Sequence, residues 1–158
     1  MSNNKIVIVT GGASGIGAST VKAFVGQGAL VVVGDIVDAD SETICNSLDV
    51  NRDNCIYRKV DVTDAFAVKQ LIEYTSQEYG RVDVLVNNAG IGNDNLYKTA
   101  EHTLDDWHKV INVNQNGVFY GNKICIITND ETRLWEYCKC QLFSWCKSFR
   151  QKSCLYCK

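Results

Sequence analysis

Residues Thr10-Gly11-Gly12-Ala13-Ser14-Gly15-Ile16-Gly17 are the segment of this chain whose types and spacing most directly imply chemistry. Glycines so placed let a backbone turn sharply and come close to a ligand, and the N–H groups that open a following helix attract negative charge. The ligand suited to such a turn is the pyrophosphate of a dinucleotide. Asp35 lies 18 positions beyond Gly17, near the ~20-residue offset at which a carboxylate accepts hydrogen bonds from an adenosine ribose. Each signal has a plainer alternative, a glycine-rich structural turn in one case and a helix cap in the other. The spacing between them favours the ligand.

Bringing these residues together requires strands and helices in alternation. Residues 5–10 are β-branched and apolar on both faces, which reads as a buried parallel strand, the central one of its sheet. A helix over 14–27 follows, with Ile16, Val21, Phe24 and Val25 at helical spacing and Gly28 as its stop. A second buried strand over 29–34 ends at Asp35, and 38–48 reads as a helix with acidic residues early in it. The third strand, 55–60, is more polar and so nearer an edge, and ends at Asp61. A helix over 64–79 stops at Gly80, a fourth strand over 82–86 ends at Asn87, and a last helix runs from Leu104 to about Gly121. Strands alternating with helices predict an α/β fold built on a doubly wound parallel sheet.

Composition narrows the partners. The chain has 158 residues, 46% of them apolar, and a formal charge of -2, the profile of one ordinary globular domain. Its lysines and arginines are scattered, so no nucleic-acid or anionic-membrane partner is expected. The first residues lack a signal-peptide hydrophobic run and no apolar stretch approaches a bilayer span, which reads as a cytoplasmic protein. Cysteine usage divides the chain. Of eight cysteines only Cys45 and Cys55 precede residue 125, and six crowd from Cys125 to Cys157. Proline is absent, although about 5% is usual. The expected organisation is therefore a half domain over 1–121 and an atypical tail over 122–158.

The Thr-Gly-x-x-x-Gly-x-Gly form of the first turn resembles the short-chain dehydrogenase/reductase family, and further family segments follow in order. Asp61-Val62-Thr63 resembles the segment that contacts the adenine. Asn87-Asn88-Ala89-Gly90 resembles the family's Asn-Asn-Ala-Gly, which ties the sheet together and lines the cofactor cleft. The segment from Asn112 to Phe119 resembles a helix whose asparagine, here Asn114, kinks the helix and holds a water in the proton relay. The resemblance implies a Rossmann-like sheet with NAD held by Gly11, Ser14, Gly15, Ile16, Gly17, Asp35, Asp61, Val62, Asn88, Ala89 and Gly90. Ser14 and Ile36 stand where NADP-using members carry a cation, so NAD is favoured over NADP. The Leu104, Trp107, Ile111, Asn114 and Val118 spacing places Asn114 in an apolar stripe, where a structural, fully paired asparagine is the alternative. His102 and His108 have no partner pattern for metal or nucleophilic catalysis, and no metal site is expected.

Family chemistry is hydride transfer between nicotinamide and an alcohol or ketone carbon, with a tyrosine as acid/base, a lysine four residues on and a substrate-orienting serine. None of the seven tyrosines has a lysine four positions later, and no Ser-Ser pair ends an apolar strand. The sheet is thus expected to stop after its fourth strand and following helix, leaving an apolar edge prone to aggregation. Two readings of the tail compete. One takes Cys138, Cys140, Cys146, Cys154 and Cys157 as a small zinc site. The other takes the tail as the family sequence read out of frame. Tryptophan has one codon, so a shift of one nucleotide forces glycine at Trp135 and Trp145. Codon degeneracy between them permits Gly-Ser-Ile-Val-Asn-Val-Ser-Ser-Leu-Ala-Gly, and residues 154–158 permit Ala-Tyr-Thr-Ala-Ser-Lys. The expectations are then an inactive relative of an alcohol or ketone oxidoreductase, a noncatalytic NAD-binding fragment, or an interaction module with a zinc-bound tail. Sequencing the transcript discriminates the frame hypothesis: its next frame should encode Gly-Ser-Ile-Val-Asn and Tyr-x-x-x-Lys, and any other reading ends it.

Overall fold

A computed structural model describes residues 4–92 and 99–132. Four parallel strands, β1 (Ile6–Thr10), β2 (Leu30–Asp35), β3 (Cys55–Lys59) and β4 (Val84–Asn87), form one sheet in the order β3-β2-β1-β4. The first strand is interior and the third lies at an edge, as its polarity predicts. Helices α1 (Gly15–Gly26), α2 (Ser41–Ser47), α3 (Ala65–Tyr79), α4 (Leu104–Ile111) and α5 (Gly117–Thr132) alternate with the strands or follow them. The architecture is α/β and Rossmann-like. No described helix is long and apolar enough to cross a membrane.

Burial on both faces explains the unbroken apolar strands. Val7 and Val9 of β1 point to one side with Val31 and Val33 of β2, where Val21 of α1 and Ile44 of α2 cover them. Ile8 and Val32 point to the other side and meet Leu71 and Ile72 of α3 and Cys125 of α5. Alternate residues thus feed two cores, and neither face of the strand tolerates a polar residue. The buried Asp83 carboxylate accepts from the Ile6 N–H (2.7 Å) and pairs with Arg81, which aligns the start of β1 with β4.

Helix starts depart from the expected positions where a side chain caps them. The second helix begins at Ser41 rather than residue 38, because the Asp40 carboxylate accepts from the Thr43 N–H at 2.7 Å and fixes the first turn. Thr103 and Asp106 form a reciprocal capping box at the start of α4. Between α4 and α5 lies a π-helical turn, Asn112–Asn116. One extra residue in the turn rotates everything N-terminal to it, so the expected apolar stripe does not share one face. Leu104 is 76% exposed and Trp107 59% exposed, whereas Asn114 and Val118 are buried.

The last helix does not stop near Gly121. It runs to Thr132, eleven residues further, and Cys125 is fully buried in the core. Gly121 serves close packing instead of termination: a Cβ there would fall within van der Waals contact of the Asn87 Oδ1 atom and 3.3 Å from Leu85. The tail residues from 133 on, including Trp135, Trp145 and the cysteines from Cys138 to Cys157, lie outside the described residues. Among the described residues no group of three or more His, Cys, Asp and Glu side chains could hold a metal.

Two tyrosines make the fold sensitive to alkali. Burial, then the Asp35 and Asp38 carboxylates, push the Tyr57 phenol up to about 12, and burial followed by a hydrogen bond with Tyr74 does the same for Tyr79. A raised acid pKa means the folded chain holds protons that the unfolded chain releases near pH 10. This contribution to stability is whole below that pH and is lost as pH rises through about 12. Urea unfolding midpoints should therefore fall between about pH 9 and about pH 11, less steeply in Tyr57→Phe. Gly121→Ala should lower unfolding free energy by roughly 1–3 kcal/mol through overpacking against Asn87, and an unchanged urea midpoint would count against that contact.

Candidate functional site

The C-terminal ends of β1, β2 and β4 open onto one cleft of about 920 Å³. Its base is the glycine turn. Gly11 has φ +63°, and a Cβ there would meet the Ala89 Cα at 2.7 Å. At Gly17, buried at the start of α1, a Cβ would overlap the Gly11 carbonyl and come 2.5 Å from the Asn88 Nδ2 atom. These two glycines exist for backbone-to-backbone packing. Gly15 differs: its φ is +55° but nothing lies within 4 Å of its would-be Cβ. It faces open cleft, and its positive φ is a conformation that glycine adopts without strain.

A hydrogen-bonded latch joins this turn to the end of β4. The Asn88 side chain donates to the carbonyl oxygens of Thr10 (3.0 Å) and Gly11 (2.8 Å). In return the Thr10 hydroxyl oxygen accepts from the N–H groups of Asn88 and Ala89, each at 3.2 Å. A strand end and a glycine loop separated by 78 positions are thereby locked in register. Asn87 reaches the opposite way and donates to the Asn122 Oδ1 atom at 2.7 Å, holding α5 on the sheet.

Asp35 is not a helix cap. Asp40 caps α2, while the Asp35 carboxylate accepts from the Ala13 N–H at 3.0 Å and from its own neighbour Ile36 at 2.7 Å. It stands at the cleft wall beside Ile36, which is 65% exposed. Asp61 folds into its own turn, accepting from the N–H and hydroxyl of Thr63 at 2.9 and 2.8 Å, and still borders the cleft with Val62.

Of the twelve residues singled out from the sequence, ten line this cleft: Gly11, Ser14, Gly15 and Ile16 at its base, Asp35, Asp61 and Val62 along one side, Asn88, Ala89 and Gly90 along the other. The remaining two, Gly17 and Asn114, stand behind it. Asn114, buried in the π turn, donates from Nδ2 to the Ile91 carbonyl and accepts from the Ile91 N–H, both at 2.8 Å. Its amide thus makes one bond in each direction to the strand-end loop.

Sequence reasoning passed over several participants. Thr10 supplies the latch. His108 lines the cleft although no role was expected for it, in company with Asp105, Lys109, Asn112 and Val113. Their spacing of three and four is itself a helical face, and a search for polar as well as apolar periodicity in α4 finds it. Helix charge also matters: α1 carries no acidic residue in its first turn and Ser14 makes no side-chain cap. Its leading N–H groups remain available to an anion at the cleft base.

Comparisons with known proteins agree with this geometry. The short chain dehydrogenase family model matches residues 5–129. Similar curated proteins include zerumbone synthase of Zingiber zerumbet, 36% identical over 119 residues, covering 75% of this chain and 44% of that protein. The 3-hydroxyacyl-CoA dehydrogenase type-2 of Bos taurus is 41% identical over 118 residues, covering 72% and 44%. A solved structure, a double mutant of a Serratia marcescens short-chain dehydrogenase/reductase, superposes with TM-score 0.69 at 31% identity, covering 78% of this chain and 50% of that one. The chain thus spans less than half the length of the curated relatives it matches. The ordered segments, the latch and the matched model together place this chain in the short chain dehydrogenase family.

Proposed function

We propose that this chain binds NAD in the cleft, in preference to NADP, and that the 158-residue chain does not itself carry out hydride transfer. The observation that carries the first part is the Asp35 carboxylate. It stands at the cleft wall within hydrogen-bond distance of the glycine loop (3.0 Å to the Ala13 N–H), where it accepts from ribose hydroxyls and repels a 2′-phosphate. Ser14 and Ile36 beside it carry no positive charge. The residues fit the cofactor on two further counts. The open space at Gly15 is a cradle that a Cβ would fill, and the uncapped start of α1 suits a pyrophosphate.

Bound NAD supplies a hydride acceptor, and this chain's residues contribute position. The latch of Thr10 and Asn88 fixes the glycine turn, while Asn114 steadies Ile91 and the Asn-Asn-Ala-Gly turn behind the cleft. In that role Asn114 is a positioning residue. The second part of the proposal rests on the absence from residues 1–158 of a Tyr-x-x-x-Lys pair, the pair that exchanges the substrate proton in the family's chemistry. One of the named relatives is a 3-hydroxyacyl-CoA dehydrogenase, and an alcohol or ketone is the substrate class of the family form. No nucleic-acid or membrane partner is invoked.

Titration calorimetry tests the reading. Wild-type chain should bind NAD more tightly than NADP, and Asp35→Ala should weaken NAD roughly tenfold or more while easing NADP discrimination. Mixing the chain with NAD and simple secondary alcohols should yield no reduced-nicotinamide absorbance. Turnover in that mixture, or NAD affinity indifferent to Asp35, would overturn the corresponding half.

A further inference from the structure

The loop between β2 and α2 borders the site beside Asp35, and one residue fastens it from both sides. Tyr57 sits in the middle of β3 with its ring buried among Val33, Ile44 and Cys45. Its hydroxyl emerges beneath the loop and shares its one proton between the carbonyl oxygens of Asp35, at 2.9 Å, and Val37. Its backbone does a second job. In a parallel edge strand one residue turns both its N–H and its carbonyl outward, where no neighbouring strand receives them. At Tyr57 both are taken by Ser41, the first residue of α2: its Oγ accepts from the Tyr57 N–H at 2.9 Å and donates to the Tyr57 carbonyl at 3.0 Å. Tyr57 therefore holds the last residue of β2, the middle of the loop and the first turn of α2.

Little else restrains the intervening residues. Ile36 and Val37 are 65% and 43% exposed. Ile36 donates only to its neighbour's carboxylate, Ala39 donates to Val37, and Asp38 pairs with Lys59 at the exposed surface. The bond from Tyr57 to Val37 is the part-buried long-range tie on this loop, beside the packing of Ala39 on the core and the exposed Asp38–Lys59 pair.

We infer that Tyr57 is a specificity-positioning residue, whose hydroxyl strap to Asp35 and Val37 keeps the loop shaped against a 2′-phosphorylated adenosine and so sharpens the choice of NAD over NADP. The inference rests on the reading that the cleft takes NAD. Discrimination by a carboxylate depends on holding that charge, and the uncharged Ile36 that lines the cleft next to it, against a 2′-phosphate. A loosened loop lets the carboxylate and backbone swing aside, and the penalty against the phosphate relaxes. The phenol, pushed up to about 12 by burial and the two carboxylates, stays protonated and a donor through the working pH range.

Calorimetry with NAD and with NADP on wild type, Tyr57→Phe and Ser41→Ala tests this, with amide exchange at Ile36 and Val37 as a second readout. Tyr57→Phe keeps the buried ring and removes only the strap. It should lower the NAD-over-NADP affinity ratio about fivefold, the size of one hydrogen bond, and should speed exchange in the loop. Ser41→Ala removes the backbone clamp but not the strap, and should leave the ratio within about twofold while lowering stability. Equal weakening of both nucleotides in Tyr57→Phe, an unchanged ratio, or an equal shift from Ser41→Ala would each overturn the inference. Wild-type chain that binds neither nucleotide would instead overturn the NAD reading; loop exchange indifferent to the Tyr57 hydroxyl would then sink the strap as well.

Discussion

There is no room for a methyl group where α1 meets the Gly11 carbonyl, and the cleft is organised around that fact. With hydrogen at Gly17, the helix seats directly on the loop, and the Asn88 amide slides into the same space to reach two carbonyl oxygens. With any larger residue the helix would have to retreat, and a retreat of even one ångström breaks a hydrogen bond whose length is 2.8 Å. The end of β4 and the start of α1 would part, and the cleft between them would lose its base. The Thr10 hydroxyl adds the return bonds, so the contact is reciprocal and resists sliding as well as separation.

That seat determines where helix charge is spent. Each of α2, α3 and α4 begins with a side chain, Asp40, Asp64 or Thr103, that accepts from the first turn. The Asp40 carboxyl is held below its usual range by the Thr43 N–H and hydroxyl, and that of Asp106 by Thr103. In each of these helices a first-turn amide is satisfied by the cap. In α1 the cap position is Ser14 in extended conformation without such a bond, and the first turn has no acid. A helix start left without internal satisfaction costs stability unless water or a ligand attends it. Its exposure at the cleft base is the electrostatic counterpart of the space left at Gly15.

The parts legible in the sequence are those whose physics is local. Strands apolar on both faces announce a parallel sheet, and a glycine turn followed by a carboxylate at fixed offset announces the cleft. The parts missed depend on distance or on ambiguity. Tyr57 acts on residues 20 and 22 positions away, and nothing in its neighbourhood announces that its hydroxyl will meet Val37. The π turn at Asn112–Asn116 rotates α4 relative to α5, which defeats a stripe counted across both. Gly121 illustrates ambiguity: a glycine at a helix end and a glycine under a neighbouring strand's side chain look alike, and only the position of Asn87 separates them. His108 was set aside because it has no catalytic partner, yet lining a cleft asks only for a place on the right helical face.

Among the described residues, the two outer strands of the sheet meet the same problem by different means. β3 turns the backbone groups of Tyr57 outward and has them capped by Ser41, a two-atom substitute for a neighbouring strand. At β4 the side chains from Val84 to Asn87 are all buried, and the contact beyond them is α5, drawn in by Asn87 and Asn122. Helix cover buries side chains but leaves a strand's outer backbone groups without a ladder. The cleft itself does not depend on that outer side. The groups that fix its shape, from Thr10 through Asp35 and Tyr57 to Asn88, Ile91 and Asn114, bond to one another within the described residues. The nucleotide recognition proposed for this turn and chemistry on a substrate are therefore separable demands on the sheet, because the hydrogen bonds that shape the cleft close among residues 10–114.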